Sequence, residues 1–263
     1  MEMVAASKLR RFQDMMLKTK PFTQGLEELL KRLSQAKIEK THPFIEAREE
    51  KKKALILITS DTGLCGSYNN DLIQTAKRFM AENDVKNFIG VGKSGITAFK
   101  KAGLTWKATF TDLRASRIEE VLSQLKATIE NVYLQNEADS IYVVYSHFKT
   151  LSTYKAVTEK LLPLEKPKEA GEKRQDVEYI FEPSPETIFE RLIPLFFEAK
   201  VRTLFLESIV SEQIARMQAM NLATKNAREM IDSLVLLRNK ARQAAITKEI
   251  IEIVSGSKAL KIK

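Results

Sequence analysis

Residues 211–245 read SEQIARMQAMNLATKNAREMIDSLVLLRNKARQAA. They sit inside a longer run, from Pro194 to Gly256, that contains no proline or glycine between its ends. Fully helical, such a run spans roughly 90 Å at about 1.5 Å per residue. Helices of globular domains are usually about 8–20 residues long, so this one needs a partner along its length. Ile214, Met217, Met220, Ala223, Ala227, Met230, Leu234, Leu237, Ala241 and Ala244 recur every three or four positions and mark one helical face. That face is mostly methionine and alanine. Small residues let a second helix approach closely, and methionine fills irregular gaps.

The other end of the chain supplies the expected partner. Val4, Leu9, Phe12 and Met16, then Leu26, Leu29, Leu30 and Leu33, carry the same helical spacing. Pro21 is expected to interrupt and kink this helix, because proline lacks the N–H that an interior turn needs. The predicted fold is α/β. The two terminal helices, residues 1–52 and 185–263, form an antiparallel coiled coil, and a Rossmann-like α/β domain of mostly parallel strands, residues 53–184, is inserted between them.

The middle of the chain changes period. ALILITSD, Ala54 to Asp61, is a short β-branched run that predicts a buried strand. An amphipathic stretch follows GLCGSYNN and reaches about Glu82. Asn87 to Gly92 predicts a second strand, Ser94 to Ala102 a short helix, and Thr105 to Phe110 a weaker strand. Arg117 to Gln135 predicts a helix with Ile118, Val121, Leu122, Leu125, Ile129 and Val132 on one side. Ser140 to Phe148 predicts another strand, and Val157 to Leu164 one at the sheet edge. Alternation of this kind gives an open sheet with crossover helices. Glu165 to Glu178 predicts a solvated loop, and Val177 to Pro185 a last short strand and turn, with Pro185 in the first turn of the final helix.

Composition narrows the class. The chain has 263 residues, 44% of them hydrophobic, enough for a real core. No stretch is long and apolar enough to span a bilayer, so no direct membrane insertion is expected, and the opening MEMVAASKLRR lacks the apolar core of a secretory signal. The single cysteine, Cys65, rules out an intramolecular disulfide and fits a reducing compartment. The net charge of +9 is uneven. Residues 1–53 hold 13 Lys/Arg against 8 Asp/Glu, residues 199–263 hold 12 against 6, and the middle is slightly acidic. The basic character lies on the helical arms, where it suits nucleic acid, anionic lipid or an acidic protein surface. No recognised nucleic-acid-reading motif accompanies it.

Fragments that suggest catalysis are incomplete. Gly92-Lys93-Ser94 ends like a phosphate-binding loop, but that motif needs a glycine where Asn87 stands. Gly63 and Gly66 follow a strand, yet a dinucleotide fingerprint needs three glycines in a fixed pattern. Both read better as tight strand-to-helix connections. His42 and His147 bear no recognisable relation to Cys65, and no metal-ligand or paired-carboxylate motif occurs. No catalytic residue, cofactor or metal is expected. Two rivals remain at this point. One is a basic coiled-coil nucleic-acid-binding protein with a degenerate α/β domain. The other is an α/β enzyme with helical arms and a ligand in the turn from Asp61 to Tyr68.

Four blocks carry a resemblance: MEMVAASKLRR at 1–11, ITSDTGLCGSYNN at 58–70, EPSP and LFFEAKV leading into SEQIARMQAMNLATKNA, and NKARQAAITKEIIEIVSGSKAL at 239–260. Together they make the chain similar, along nearly its whole length, to the gamma-subunit family of F-type ATP synthases. The resemblance implies a non-catalytic rotor shaft. Its coiled coil turns inside a ring of alpha and beta subunits, and its foot meets the epsilon subunit and the membrane c ring. It couples ion flow to ATP synthesis or hydrolysis. It also implies a peripheral location on the cytoplasmic face of a bacterial inner membrane, or an organelle equivalent, and no nucleic-acid partner. Carried over residue by residue, Met1, Arg216, Gln243, Thr247 and Glu249 match positions that face the catalytic ring or govern coupling, and Tyr179 and Glu182 match foot positions near the c ring. Family members carry a further helical segment before the block that opens this chain. Its pairing partners would be Ile246, Ile250, Ile251, Ile253 and Val254, so the last helix is expected to fray beyond about Ala241 outside a complex. The long cysteine-bearing insertion of chloroplast members is absent, so no thiol regulation of that type is expected.

Overall fold

The computed structural model describes residues 1–33, 42–46, 48–150, 153–164, 182 and 184–261. The elements are α1 (Glu2–Leu33), β1 (Lys53–Ile58), α2 (Tyr68–Glu82), β2 (Val85–Val91), α3 (Lys93–Lys101), β3 (Ala108–Phe110), α4 (Ile118–Leu134), β4 (Ser140–Thr150), β5 (Thr153–Leu162) and α5 (Pro185–Lys261). By internal contacts the chain forms two units, Met1–Gln218 and Ala219–Lys263.

In the first unit the five strands run in the order β3-β2-β1-β4-β5. β1 to β4 are parallel and β5 returns antiparallel to β4. Only two residues separate β4 from β5, too few for a crossover, so the edge strand is the second arm of a hairpin. β1 is buried on both faces, which is why it reads as a continuous apolar run rather than an alternating one. Ala54, Ile56 and Ile58 face a core shared with α1, α4 and α5, while Leu55 and Leu57 face α2 and α3. The Rossmann-like expectation holds, including mostly parallel strands.

α1 buries Ala5, Leu9, Phe12, Met16, Leu26, Leu30 and Leu33. The stripe differs from the sequence reading at two places, since Val4 and Leu29 are exposed. In the first turn the smaller Ala5 faces inward in place of Val4. Pro21 does not interrupt the helix, which runs through it. The missing hydrogen bond is tolerated because Met16 and Leu26, on either side, are anchored in the core. Phe44 and Ile45 are buried in the core within a turn. Thr23 lies 2.9 Å from Thr203, and Lys20 lies 3.4 Å from Glu207. Rising numbers on α5 meet falling numbers on α1, so the two helices are antiparallel.

The second unit is the rest of α5. From residue 221 to 257 every residue is exposed except the half-buried Asn239. The seam expected to run from Ile214 to Ala244 is therefore buried only at its start, at Ile214 and partly at Met217 and Met220. α5 continues to Lys261, past Ala241. Ile246, Ile250, Ile251, Ile253 and Val254 are all exposed, as expected for side chains without a covering partner. The expected loop at 165–178 and most of the last short strand lie outside the described residues.

Candidate functional site

In an open sheet of this winding, ligands bind beyond the carboxyl ends of the strands, where the strand order reverses. Here that point lies between β1 and β4. The β1–α2 connection is built from its own polar groups. Asn69 accepts the Ser60 N–H at 3.0 Å and donates to the Ser60 hydroxyl at 2.7 Å. Leu64 and Gly66 both take positive φ, 64° and 59°, to make the tight turn. Asp61 accepts the N–H of Lys93 at 3.1 Å and of Leu113 at 2.7 Å, tying this turn to the two neighbouring strand ends. Cys65 is buried beside Ser60 and Asn69, and burial pushes its thiol pKa up, away from the thiolate a nucleophile needs.

The nearby Gly92-Lys93-Ser94 fragment has a packing explanation. Gly92 has φ 87°, and a Cβ there would lie 2.1 Å from the Thr59 carbonyl oxygen. The glycine is required by the close approach of β1 and the β2–α3 turn.

α5 occupies the crevice. Tyr68 donates to the Ser208 carbonyl at 2.8 Å, Ser208 Oγ accepts the Ser146 N–H at 3.4 Å, and Ser211 donates to the Ser146 carbonyl at 3.2 Å. One turn on, Arg216 donates through Nη2 to the Thr62 hydroxyl at 2.9 Å and carbonyl at 3.1 Å, and through Nη1 to Glu212 at 2.6 Å. Ala215 of α5 joins the α2-side core, whereas Ile193 to Ile214 belong to the other. The helix thus crosses the end of the sheet and fills the place a nucleotide would take. Burial pushes the Glu212 carboxyl pKa upward, and Arg216 opposes that rise.

The residues singled out from the sequence have different fates. Arg216 is not turned wholly outward, because its guanidinium is clamped on the chain's own turn with only 12% of the side chain exposed. Met1 and Glu182 are exposed. Gln243, Thr247 and Glu249 are exposed on α5, where the Thr247 hydroxyl donates to the Gln243 carbonyl at 2.8 Å and so faces the same side one turn on. Tyr179 lies outside the described residues.

Sequence reasoning missed the buried polar side chains of α5. Glu207, Ser208, Ser211, Glu212 and Gln213 are all buried. Glu207 Oε2 receives His147 Nδ1 at 2.7 Å, and Oε1 receives Lys20 Nζ at 3.4 Å. The signal was present in LFLESIVSEQI, where a helical window carries apolar residues on every side, so its polar members must also be buried. Buried polar groups then need partners.

Comparison with known proteins fits this arrangement. A family profile described as ATP synthase matches residues 1–260. The chain is 39% identical over 262 residues to an ATP synthase gamma chain of Desulfitobacterium hafniense, covering 99% of this chain and 92% of that one. It is 40% identical over 261 residues to that of Pelotomaculum thermopropionicum, with the same coverage. Among solved structures it is similar to a chain of the Tetrahymena thermophila mitochondrial ATP synthase central stalk and c ring. There the TM-score is 0.59 at 24% identity, over 85% of this chain and 97% of that one. A chain of the Euglena gracilis mitochondrial enzyme matches with TM-score 0.56 at 18% identity, over 98% of this chain and 94% of that one. None of these matches supports the nucleic-acid alternative.

Proposed function

The chain belongs to the ATP synthase gamma-chain family, and from that premise we propose that it is the central stalk of an F-type ATP synthase. It carries torque between a membrane c ring and a catalytic ring of alpha and beta subunits, and so couples ion flow to ATP synthesis or hydrolysis. The observation that carries this reading is the exposed surface of α5. Leu222, Met230, Ile231, Leu234, Leu236, Leu237, Ile246, Ile250, Ile251 and Ile253 all face water. A helix draws most of its stability from packing an apolar face, so this one requires a surrounding partner. An encircling ring supplies contact on every side, as a helix with apolar residues all round needs.

The filled crevice supports a non-catalytic role, since α5 holds the switch point with its own hydrogen bonds. Mechanically, residues 1–52 and 185–263 serve as the shaft and residues 53–184 as the foot. Met1, Arg216, Gln243, Thr247 and Glu249 are assigned to the catalytic ring, and Tyr179 and Glu182 to the foot, beside the epsilon subunit and c ring. For Arg216 the contact works through its helix position and the internal clamp, because both terminal nitrogens already donate within the chain. No helix among the described residues is long and apolar enough to cross a membrane. Attachment is peripheral, through the other subunits, on the cytoplasmic face of a bacterial inner membrane. The test is co-expression with alpha, beta and epsilon subunits. A complex that contains this chain and pumps ions when reconstituted with a c ring is expected. Failure of the chain to co-purify with alpha and beta would overturn the reading.

A further inference from the structure

We propose that Glu207 is a positioning residue that locks α1, α5 and β4 into one torque-bearing joint. The inference rests on the stalk reading and adds the point where load leaves the paired helices for the sheet. Three elements meet on one buried carboxylate. Glu207 belongs to α5, Lys20 to α1 and His147 to β4. The carboxylate is 5% exposed, whereas Lys20 and His147 are 39% and 40% exposed, so both side chains reach inward to it.

Nearby bonds run in the same directions. Thr23 of α1 meets Thr203 of α5 at 2.9 Å, one turn from the carboxylate. Ser146, the neighbour of His147 on β4, bonds both Ser208 and Ser211. The strand therefore grips α5 through adjacent residues, 146 and 147, on two sides of the helix.

The energy of apolar burial depends on area and has no direction of its own. Apolar packing is also interrupted here. A cleft of about 540 Å³ opens between α1, the β4–β5 hairpin and α5, with Lys20, Thr23, Tyr145, His147, Thr203 and Glu207 on its wall. Charge-assisted hydrogen bonds are directional and among the strongest available, and across such a gap they fix register where side chains do not interdigitate. Removing Lys20 takes a charged partner from the buried Glu207 carboxylate and leaves it only His147.

The test uses the assembled ATP synthase in sealed vesicles, with complex content matched by immunoblot, and measures ions moved per ATP hydrolysed. Glu207→Gln keeps the shape and removes the charge. It is expected to leave ATP hydrolysis near wild type and to lower the ion-to-ATP ratio about twofold or more, as loss of a directional contact allows slip. Lys20→Ala should lower the ratio in the same way and Lys20→Arg should restore it, which a purely structural cavity effect would not reproduce. If Glu207→Gln fails to assemble, the Lys20 pair decides alone. Equal, wild-type ratios for Lys20→Ala and Lys20→Arg would overturn the joint. So would a Glu207→Gln complex that assembles and pumps normally. Failure of the wild-type complex to pump at all would instead strike the stalk reading itself.

Discussion

Two stretches of α5 invert the usual relation between side-chain type and burial. From Leu204 to Ala215 the helix buries two glutamates, two serines and a glutamine together with its aliphatic residues. From residue 221 to 257 it exposes leucine, isoleucine and methionine. The same secondary structure runs through both. What differs is what lies against each. The first stretch is held by β4, α1 and the start of α2, which supply partners for Glu207, Ser208 and Ser211, while Glu212 takes Arg216 from α5 itself. The second has no covering surface among the described residues. Burial in this molecule follows the partner and not the hydropathy of the helix.

The largest expected effect sharpens that contrast. Phe205 is fully buried, so Phe205→Ala should cost about 4 kcal/mol in urea unfolding of the isolated chain. Leu234→Ala, on the exposed stretch, should stay within about 0.5 kcal/mol of wild type. A Leu234→Ala loss comparable to that of Phe205→Ala would break the comparison.

Next in size is the Arg216 clamp. Arg216→Ala should cost about 3 kcal/mol at neutral pH, because it leaves Glu212 buried without its cation. The pH dependence has a definite sign. A carboxyl whose folded pKa is raised gives a contribution that is complete below its ordinary value of 4.5 and is lost as pH rises through the folded value. Removing Arg216 raises that pKa further. The deficit of the variant should therefore shrink as the solution is acidified toward 4.5, read from urea midpoints across a pH series. A deficit independent of pH would show that the Thr62 bonds, and not the Glu212 charge, carry the clamp.

A smaller effect comes from the α1–α5 contact. Thr23→Val keeps the shape and loses the bond to Thr203, and should cost about 1 kcal/mol. The smallest concerns stability on the exposed stretch. Gln243→Ala and Thr247→Ala should leave the isolated chain within about 0.5 kcal/mol of wild type while lowering ATP turnover in the assembled complex. Hydrogen exchange gives the same contrast without mutation, with residues 192–215 protected and 221–257 exchanging much faster. Strong protection through Ile250 to Val254 in a verified monomer would show that the exposed stretch is stable without a partner.

Much of the fold could be read locally. β1, β2, β4 and the helices α2 to α4 announce themselves through period and punctuation, because each depends on residues close in sequence. Pro21 misled because the helix-breaking cost is local while the packing that overrides it is not. The direction of β5 was not read, because the predicted strands leave eight residues between them where the structure leaves two. Gly92 looked like part of a phosphate loop, and its true constraint is a carbonyl on another strand. The site was less legible. Gln243, Thr247 and Glu249 were assigned only through the resemblance and lie on an accessible helix surface, whereas Arg216 is engaged inside the chain.

The amino-acid sequence by itself determined the order of elements, the long uninterrupted final helix and the family, since all three rest on residue type and spacing along one chain. Tertiary structure alone decided which polar side chains are buried and what they hold. Arg216 and Thr62 are 154 positions apart, and Lys20 and Glu207 are 187 apart. No periodicity reaches across such distances. Pairings of that kind exist only once the sheet has brought α1, β4 and α5 together, and the desolvation of the buried Glu207 and Glu212 carboxylates then makes a partner obligatory.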